Sequence, residues 1–226
     1  MSKKPMKKGD IKKSWNKRNR KSKKYDKDSK KQDTYFLIIC EGENTEPEYF
    51  KSFPVKSAEV KSYGIGRSKS SLVDYTLKLL KKEKLNPNEV WIVFDMDFNP
   101  QENNQKEDVN NAIAKAEKHN LNVIFSNDAF EVWFLLHYSY FENKVTRYEY
   151  YQKLSKLWNC DYKDEAKKIA FAIKIYDILQ NDERANQLKA IERAKRLFDK
   201  QINISYSEKN PYTDVYKLVE KLNDCF

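Results

Sequence analysis

Cysteine is scarce in this chain of 226 residues, which contains three cysteines. Cys40, Cys160 and Cys225 lie far apart, are odd in number and form no CxxC spacing. This pattern excludes a framework of disulfide bridges. It is typical of reduced thiols in an intracellular protein.

Long apolar segments are missing as well. The basic N-terminus is not followed by the apolar stretch of about 7–15 residues that a signal sequence needs. The longest candidate, residues 35–40, is also far too short to span a membrane. We therefore expect a cytoplasmic protein without a membrane partner.

What the chain has in excess is charge, and its positive charge is concentrated at one end. Charged residues make up 35% and hydrophobic residues 39% of the chain, whose net charge is +10. The first 31 residues hold 15 Lys/Arg and three Asp, a net +12, whereas the other 195 residues hold 29 basic and 31 acidic residues. The basicity therefore belongs to an N-terminal tail and not to the folded part.

This tail, residues 1–32, has too few apolar residues to form a core, and we expect it to be disordered until it meets a polyanion. Nucleic acid is the commonest such partner, because each neutralised phosphate releases counterions. The candidate phosphate-binding residues of the tail are Lys12, Lys13, Arg18 and Arg20. A second interpretation, an unspecific solubilising arm, is equally open.

Beyond the tail, short apolar runs alternate with amphipathic segments. Strands are predicted at 35–40, 59–65, 90–95 and 121–126, and helices at 45–53, 69–84, 108–119 and 128–138. Three of the strands are near-continuous apolar runs, which is typical of strands covered on both faces. We therefore expect an α/β core at 33–140 with a mostly parallel sheet flanked by helices. Helical periodicity predicts a helical appendage at 141–226.

Acidic residues follow several of the predicted strands. Glu41 comes directly after the first strand, Asp95 and Asp97 close the third, and Glu131 follows the fourth. Ligand sites of parallel sheets lie at this edge, where strands end and helices begin. Because Asp95 and Asp97 are two positions apart, an extended backbone would point both side chains to one side. Their oxygen ligands favour a Mg²⁺ or Mn²⁺ site.

These acids also have simpler interpretations. Thr45 and Glu48 have the spacing of a helix capping box, and this is the interpretation that we adopt for Glu48. Asp128 and Glu131 have the same spacing, so capping and metal binding are equally open for Glu131. The remaining acids of these loops also fit solvated positions: Asp97, Glu43 and Glu46.

Two weaker candidates are a glycine-containing loop and the histidines. In the loop GIGRSKS at 64–70, Arg67, Lys69 and the following helix N-terminus could hold a phosphate. The loop matches neither the Walker nor the dinucleotide pattern, so a tight turn is the simpler interpretation. We expect His119 on the surface at a helix end, and we expect His137, on an apolar helix, to be a packing residue.

Three motifs together resemble the RloB-like family, which is found in bacterial restriction and abortive-infection loci. They are CEGENTEPEYF at 40–50, VFDMD at 93–97 and SNDAFEVWFLLHY at 126–138. The terminal NPYTDVYKLVEKL is similar to that family's ending. The resemblance covers residues 35–140 well, and it implies an architecture similar to a Toprim domain, in which a glutamate after the first strand and a later D-x-D bind Mg²⁺.

The resemblance also implies roles for the acids. Glu41 matches the Toprim-like glutamate, and Asp95 and Asp97 match the D-x-D pair. Glu46 and Glu131 resemble additional acids of overcoming-lysogenization-defect nucleases, which usually place the first of them four positions after the Toprim-like glutamate and not five. The implied activity is Mg²⁺-dependent cleavage of RNA, including tRNA, or of DNA in defence against phage, with Glu41 as general acid/base.

The implied partners are nucleic acid and a defence ATPase, and a homo-oligomer is compatible with the sequence. A function of a different class remains open, namely a non-catalytic adaptor that binds nucleic acid or a signal. The metal-dependent nuclease implied by the resemblance needs a metal ion between Glu41 and Asp95, whereas an adaptor does not. The surroundings of those acids therefore discriminate between the two functions.

Deleting residues 1–31 is expected to weaken nucleic-acid binding and to flatten its salt dependence, because phosphate contacts release counterions without reading sequence. Titration of labelled RNA and DNA over a range of salt concentrations measures this. An unchanged affinity and an unchanged salt slope after the deletion would show that the arm serves only solubility.

Overall fold

A computed structural model describes residues 34–62, 68–166 and 168–225 of the chain. The predictions for the basic tail, and those for Gly64, Gly66 and Arg67, concern residues outside this part. Residues 33–226 form one compact unit. The sites considered below all lie within that unit.

The chain forms an α/β fold around a five-stranded, mostly parallel sheet, as the sequence predicts. Its strands are β1 (Phe36–Cys40), β2 (Ala58–Ser62), β3 (Glu89–Asp95), β4 (Asn122–Asn127) and β5 (Tyr212–Thr213). Their order across the sheet is β2-β1-β3-β4-β5. The first four are parallel to their neighbours, and β5 pairs antiparallel with β4.

Helices follow each of the parallel strands and continue through the C-terminal part. The first four are α1 (Thr45–Lys51), α2 (Lys69–Lys82), α3 (Gln105–Lys118) and α4 (Glu131–Leu136). The others are α5 (Arg147–Trp158), α6 (Tyr162–Glu165), α7 (Ile169–Ala172), α8 (Ile175–Asn181), α9 (Gln187–Lys200) and α10 (Val215–Asn223). A 3-10 turn at Tyr206–Glu208 precedes β5.

The strands are apolar along most of their length because both faces of the sheet are covered, as the sequence predicts. On β1, Phe36 and Ile38 face one core cluster, whereas Leu37 and Ile39 face another. Helices α2 and α3 pack on the second face, and α1 and α4 pack on the first. Every residue of β1 is therefore buried.

The C-terminal segment differs from the predicted appendage, because it completes the sheet and its first face. Its short strand β5 extends the sheet beside β4. Leu197 of α9 and Leu218 of α10 belong to the same core cluster as Ile38 of β1. A strand of two residues has no alternating pattern that sequence inspection could detect, and amphipathic helices do not state which surface they cover.

In the described ranges, none of the helices has the length and apolar character that crossing a bilayer would require.

Leu218→Ala is expected to destabilise the whole folded unit by about 2–5 kcal/mol, because it removes a fully buried side chain that covers the sheet. Thermal unfolding should shift as one transition. Lys221→Ala is the matched control on the same helix, since it removes only a surface ion pair to Glu89 and should cost about 0–1 kcal/mol. Two separate transitions, with one unshifted by Leu218→Ala, would instead indicate an independent appendage.

Candidate active site

The strand order brings the ends of β1 and β3 side by side. Glu41 directly follows β1, and its backbone N–H donates to the carbonyl of Val93 on β3 at 2.9 Å. Asp95 is the last residue of β3. Two of the acids predicted from separate strands therefore meet at one edge of the sheet.

A cavity of about 340 Å³ opens at this edge, and we call it the acidic pocket. The predicted acids line it together with two residues of α5: Glu41, Glu46, Asp95, Asp97, Glu131, Arg147 and Tyr151. Gly42, Glu43 and Thr45 complete the wall. The structure thus brings together all five acids for which the sequence suggested metal binding or catalysis.

Glu41 is held by Lys69, the first residue of α2. The Lys69 ammonium lies 2.6 Å from each oxygen of the Glu41 carboxylate. Burial raises the pKa of Glu41 to about 7, against the lowering effect of Lys69 and with a further contribution from Asp95. Lys69, predicted to bind a phosphate, binds a carboxylate of the chain itself.

The N-terminus of α2 is also occupied by an acid of the chain. The Asp108 carboxylate accepts hydrogen bonds from the backbone N–H groups of Lys69 at 2.6 Å and Ser70 at 3.2 Å. The Ser70 hydroxyl donates to it at 2.7 Å. The phosphate position considered for this helix start is therefore filled by Asp108, which satisfies the same orphan donors.

Asp95 and Asp97 share the guanidinium of Arg147. One Arg147 nitrogen lies 3.2 Å from the Asp95 carboxylate, and the other forms an ion pair with Asp97. Asp95 is buried and also accepts from the backbone N–H of Phe130 at 3.2 Å. Asp97 lies beyond the strand with φ of 50°, so the left-handed backbone and not an extended one directs it to the shared cation.

These charges shift one another's ionisation. Burial and the neighbouring Asp95 raise the pKa of Asp97, while Arg147 opposes them. Burial by itself lowers the pKa of Arg147, but Asp95 and Asp97 outweigh it, and the net shift is upward. Arg147 therefore stays charged in contact with the pair.

Asp128 joins the loop after β3 to the start of α5. Its carboxylate accepts from the backbone N–H of Phe98 at 3.0 Å and from that of Arg147 at 3.0 Å. Its backbone carbonyl accepts from the N–H of Asp97 at 3.0 Å. The capping-box interpretation of Asp128 and Glu131 is therefore wrong, because no side chain caps α4. Asp128 instead positions Asp97 and Arg147, which form an ion pair in the pocket.

Glu131 is the first residue of α4 and is buried. It accepts a hydrogen bond from the hydroxyl of Tyr162, on α6, at 2.9 Å. Burial raises the pKa of Glu131 to about 7, with Arg147 lowering it and Asp95 raising it. The side chain contacts a polar group of the C-terminal segment that spacing within the motif did not suggest.

Glu46 lies against Gly42. A Cβ on Gly42 would come within 2.8 Å of the carboxyl carbon of Glu46, so glycine leaves the room that this carboxylate fills. Burial raises the pKa of Glu46 to about 8, and the carboxylates of Asp95, Glu131 and Glu41 add to the shift. Glu46 is thus a member of the acid cluster and not a solvated loop residue.

Glu48 does not form the predicted capping box. Helix α1 begins at Thr45 with Asn44 at the N-cap, one position earlier than the box requires. The Thr45 hydroxyl donates to the carbonyl of Ala166 at 3.4 Å, and Glu48 pairs with Lys51 at 2.7 Å. The Thr45 hydroxyl, which a local cap would use, therefore makes a tertiary contact with the C-terminal segment.

The histidines lie where the sequence predicts. His119 is exposed at the C-cap of α3. His137 is buried, with Nδ1 at 3.0 Å from the carbonyl of Trp133, and burial lowers its pKa to about 4. His137 is therefore a neutral packing residue, away from the acidic pocket.

Sequence reasoning missed Arg147, Tyr151 and Tyr162. One signal existed, since Thr146 and Glu149 form a capping box that marks the start of α5 at Arg147. The box locates the helix N-terminus but says nothing of its spatial neighbours. Arg147 lies 52 positions from Asp95 and Tyr162 lies 31 positions from Glu131, so these pairs are found only through the fold.

The donor types in the pocket suit a hard cation, but the acids are held by side-chain cations. Among the residues that the structure describes, no three Asp, Glu, His or Cys side chains converge closely enough to hold a metal ion as they stand. Glu41 is held by Lys69, and Asp95 and Asp97 are held by Arg147. The metal prediction therefore depends on whether these ion pairs exchange.

Comparison with known proteins places this arrangement in a family. Searches of curated proteins and of solved structures each found no match. A family model described as RloB-like protein matches residues 36–222, which include the strands, the acidic pocket and the C-terminal helices. The chain therefore belongs to the RloB-like protein family.

Proposed function

We propose that this chain is a metal-dependent nuclease that cleaves phosphodiester bonds of RNA or DNA. The observation that carries the proposal is the excess of carboxylates in the acidic pocket. Six carboxyl groups line it, those of the five candidate acids and of Glu43, whereas the described cations in contact with them are Lys69 and Arg147. Ionisation of all six would leave negative charge that a divalent cation is suited to balance.

The pKa values of three of these acids are raised. Burial is the largest cause for Glu41, Glu46 and Glu131, whose pKa values rise to about 7, 8 and 7, and neighbouring carboxylates contribute to each shift. At neutral pH the pocket therefore retains protons that a bound cation would displace.

Carboxylate oxygens are the ligands that Mg²⁺ and Mn²⁺ prefer, so the donor set fits such an ion. Glu41, Asp95 and Asp97 would hold it, with Glu46 as a further ligand and Glu131 in support. Because Lys69 and Arg147 contact the first three acids, binding would be an exchange in which these cations leave the carboxylates. When bound, the ion would polarise the scissile phosphate and lower the pKa of an attacking water.

The chain's own residues have distinct roles in this proposal. Glu41 is the general acid/base, and in the metal-free pocket its pKa is raised to about 7. Before the ion binds, Lys69 orients the Glu41 carboxylate through both oxygens, and Arg147 aligns Asp95 with Asp97. Once released from the aspartates, the planar guanidinium of Arg147 suits a phosphate.

The substrate class follows from charge and from the family. The tail carries a net +12, which supports a polyanionic substrate such as RNA, including tRNA, or DNA. The RloB-like resemblance supports a role in defence against phage with an ATPase as partner. A non-catalytic adaptor is the second candidate, favoured by the ion pairs that neutralise Glu41 and the aspartates without a metal.

The stability of the metal-free protein is expected to fall as the pH rises from about 4.5 to about 8. Glu41, Glu46 and Glu131 bind protons more tightly in the folded chain than in the unfolded one, where their pKa is near 4.5. Their stabilising contribution is therefore present below the unfolded pKa and is lost as the pH passes through about 7 and 8.

Thermal unfolding in the presence of a chelator measures this slope. Glu46→Gln should flatten it and raise the melting temperature at the alkaline end, because the protonation requirement disappears. Glu43→Gln is the control, since it removes an exposed carboxylate from the wall of the same pocket. Equal slopes for wild type and Glu46→Gln would contradict the charge excess.

Glu41→Gln and Asp95→Asn are expected to abolish Mg²⁺-dependent cleavage, and each should also lower the stability of the metal-free fold, because it removes the carboxylate partner of Lys69 or Arg147. Glu131→Gln should reduce cleavage roughly 10- to 100-fold, as loss of a supporting partner does. Purified protein incubated with total RNA or plasmid DNA, with and without Mg²⁺ or Mn²⁺, provides the readout.

Glu48→Gln is the control for these three variants, because Glu48 pairs with Lys51 outside the acidic pocket. It should cleave as the wild type does. Retained activity of Glu41→Gln and Asp95→Asn on a substrate that the wild type cuts would place the nuclease site elsewhere. Absence of cleavage by the wild type with either metal would favour the adaptor.

A further inference from the structure

A second cavity lies beside the acidic pocket, and we call it the tyrosine cleft. It measures about 570 Å³ and its lining includes Tyr148, Tyr151, Lys156, Asp161 and Lys163. We propose that the tyrosine cleft binds unpaired nucleotides next to the phosphate that enters the acidic pocket. The proposal deepens the nuclease function and rests on it for the identity of the strand.

The two cavities share one lining residue. Tyr151 lines both of them. A ligand in the tyrosine cleft therefore lies next to Arg147 and the acids that line the first cavity. A polymer with repeated phosphates can occupy both cavities at once, whereas a small anion is long enough to fill only one of them.

The spacing of residues along α5 places the two cavities side by side. Arg147, Tyr151 and Ser155 follow one another at intervals of four, and Tyr148 and Lys156 lie on adjacent positions of the same surface. The opposite surface is buried through Tyr150 and Leu154. The helix therefore has one face for the core and one face that runs from the acidic pocket along the cleft.

The aromatic side chains offer stacking surfaces for bases. Tyr148 is 60% exposed, so its ring is accessible to a ligand. Tyr151 is steadied by Tyr162, whose ring centroid lies 5.4 Å away and whose hydroxyl donates to Glu131. Unpaired bases stack on such rings with little regard to sequence, whereas bases in a duplex have no free face.

The charge of the cleft is the reverse of that in the acidic pocket. Lys156 and Lys163 line it with one acid, Asp161. Phosphates flanking the reacting one would be repelled by the six acids of the acidic pocket but attracted by the two lysines. This charge favours a polyanion over a basic or purely apolar partner, and the exposed rings favour a nucleic-acid strand among polyanions.

The test is equilibrium binding of fluorescently labelled oligonucleotides to the full chain in a chelator, so that no cleavage occurs. Single-stranded RNA, single-stranded DNA and a duplex of the same sequence are compared at a salt concentration that suppresses binding by the basic tail. Tyr148→Ala should weaken single-strand binding roughly fivefold or more, the range of one lost stacking contact. Tyr148→Phe keeps the ring and should bind as the wild type does.

Two lysines of α5, Lys156 and Lys153, provide a matched pair of charge-reversal variants. Lys156→Glu should weaken single-strand binding and reduce its salt slope. Lys153→Glu makes the same change on the side of α5 where the ammonium lies 4.9 Å from the Phe141 ring, and it should have a clearly smaller effect. Thermal unfolding of each variant verifies that the exposed substitutions leave the fold intact.

A selective loss of single-strand binding by Tyr148→Ala, on RNA or on DNA, supports the cleft and indicates which of the two it takes. Wild-type affinity of Tyr148→Ala, or an equal loss on duplex and single strand, overturns it. Equal effects of Lys156→Glu and Lys153→Glu overturn it as well. Because no metal is present, these results are independent of whether Glu41→Gln abolishes cleavage, so the cleft and the nuclease function fail separately.

Discussion

The structure around the sheet edge depends on the neutralisation of carboxylates at the ends of β1 and β3. Glu41 and Asp95 are brought together by strand pairing, and Lys69 and Arg147 offset their mutual repulsion. Each cation comes from the first residue of a helix, α2 or α5. The positions of these helices are therefore linked to the charges that they meet, and the pocket is a product of the whole fold.

The C-terminal segment is part of this arrangement and not an addition to it. Arg147 on α5 and Tyr162 on α6 provide the partners of Asp95 and Glu131, while α9 and α10 cover the sheet. A parallel sheet with one bare face would expose its apolar residues to water. The same segment thus buries the core and completes the pocket, which agrees with the extent of the RloB-like match over residues 36–222.

The buried acids of the pocket lower the stability of the fold, and the same acids are suited to chemistry. Glu41, Glu46 and Glu131 are held where burial opposes their ionisation, and their pKa values lie near or above neutrality. Natural folds retain such arrangements mainly at functional sites. The adjoining tyrosine cleft extends the site from a cluster of acids to a surface that could hold a strand, so that cleavage and recognition would share one helix, α5.

The sequence by itself determined the α/β class, the parallel strands and the acids at their ends, because burial on both faces and the position of Glu41 or Asp95 after a strand are local patterns. The resemblance of its motifs to the RloB-like family also grouped Glu46 and Glu131 with these acids. Only the tertiary structure decided that Arg147 and Lys69 pair with these acids and that Asp128 joins two loops instead of capping a helix. Such contacts join residues far apart in the chain, and no periodicity or spacing encodes them.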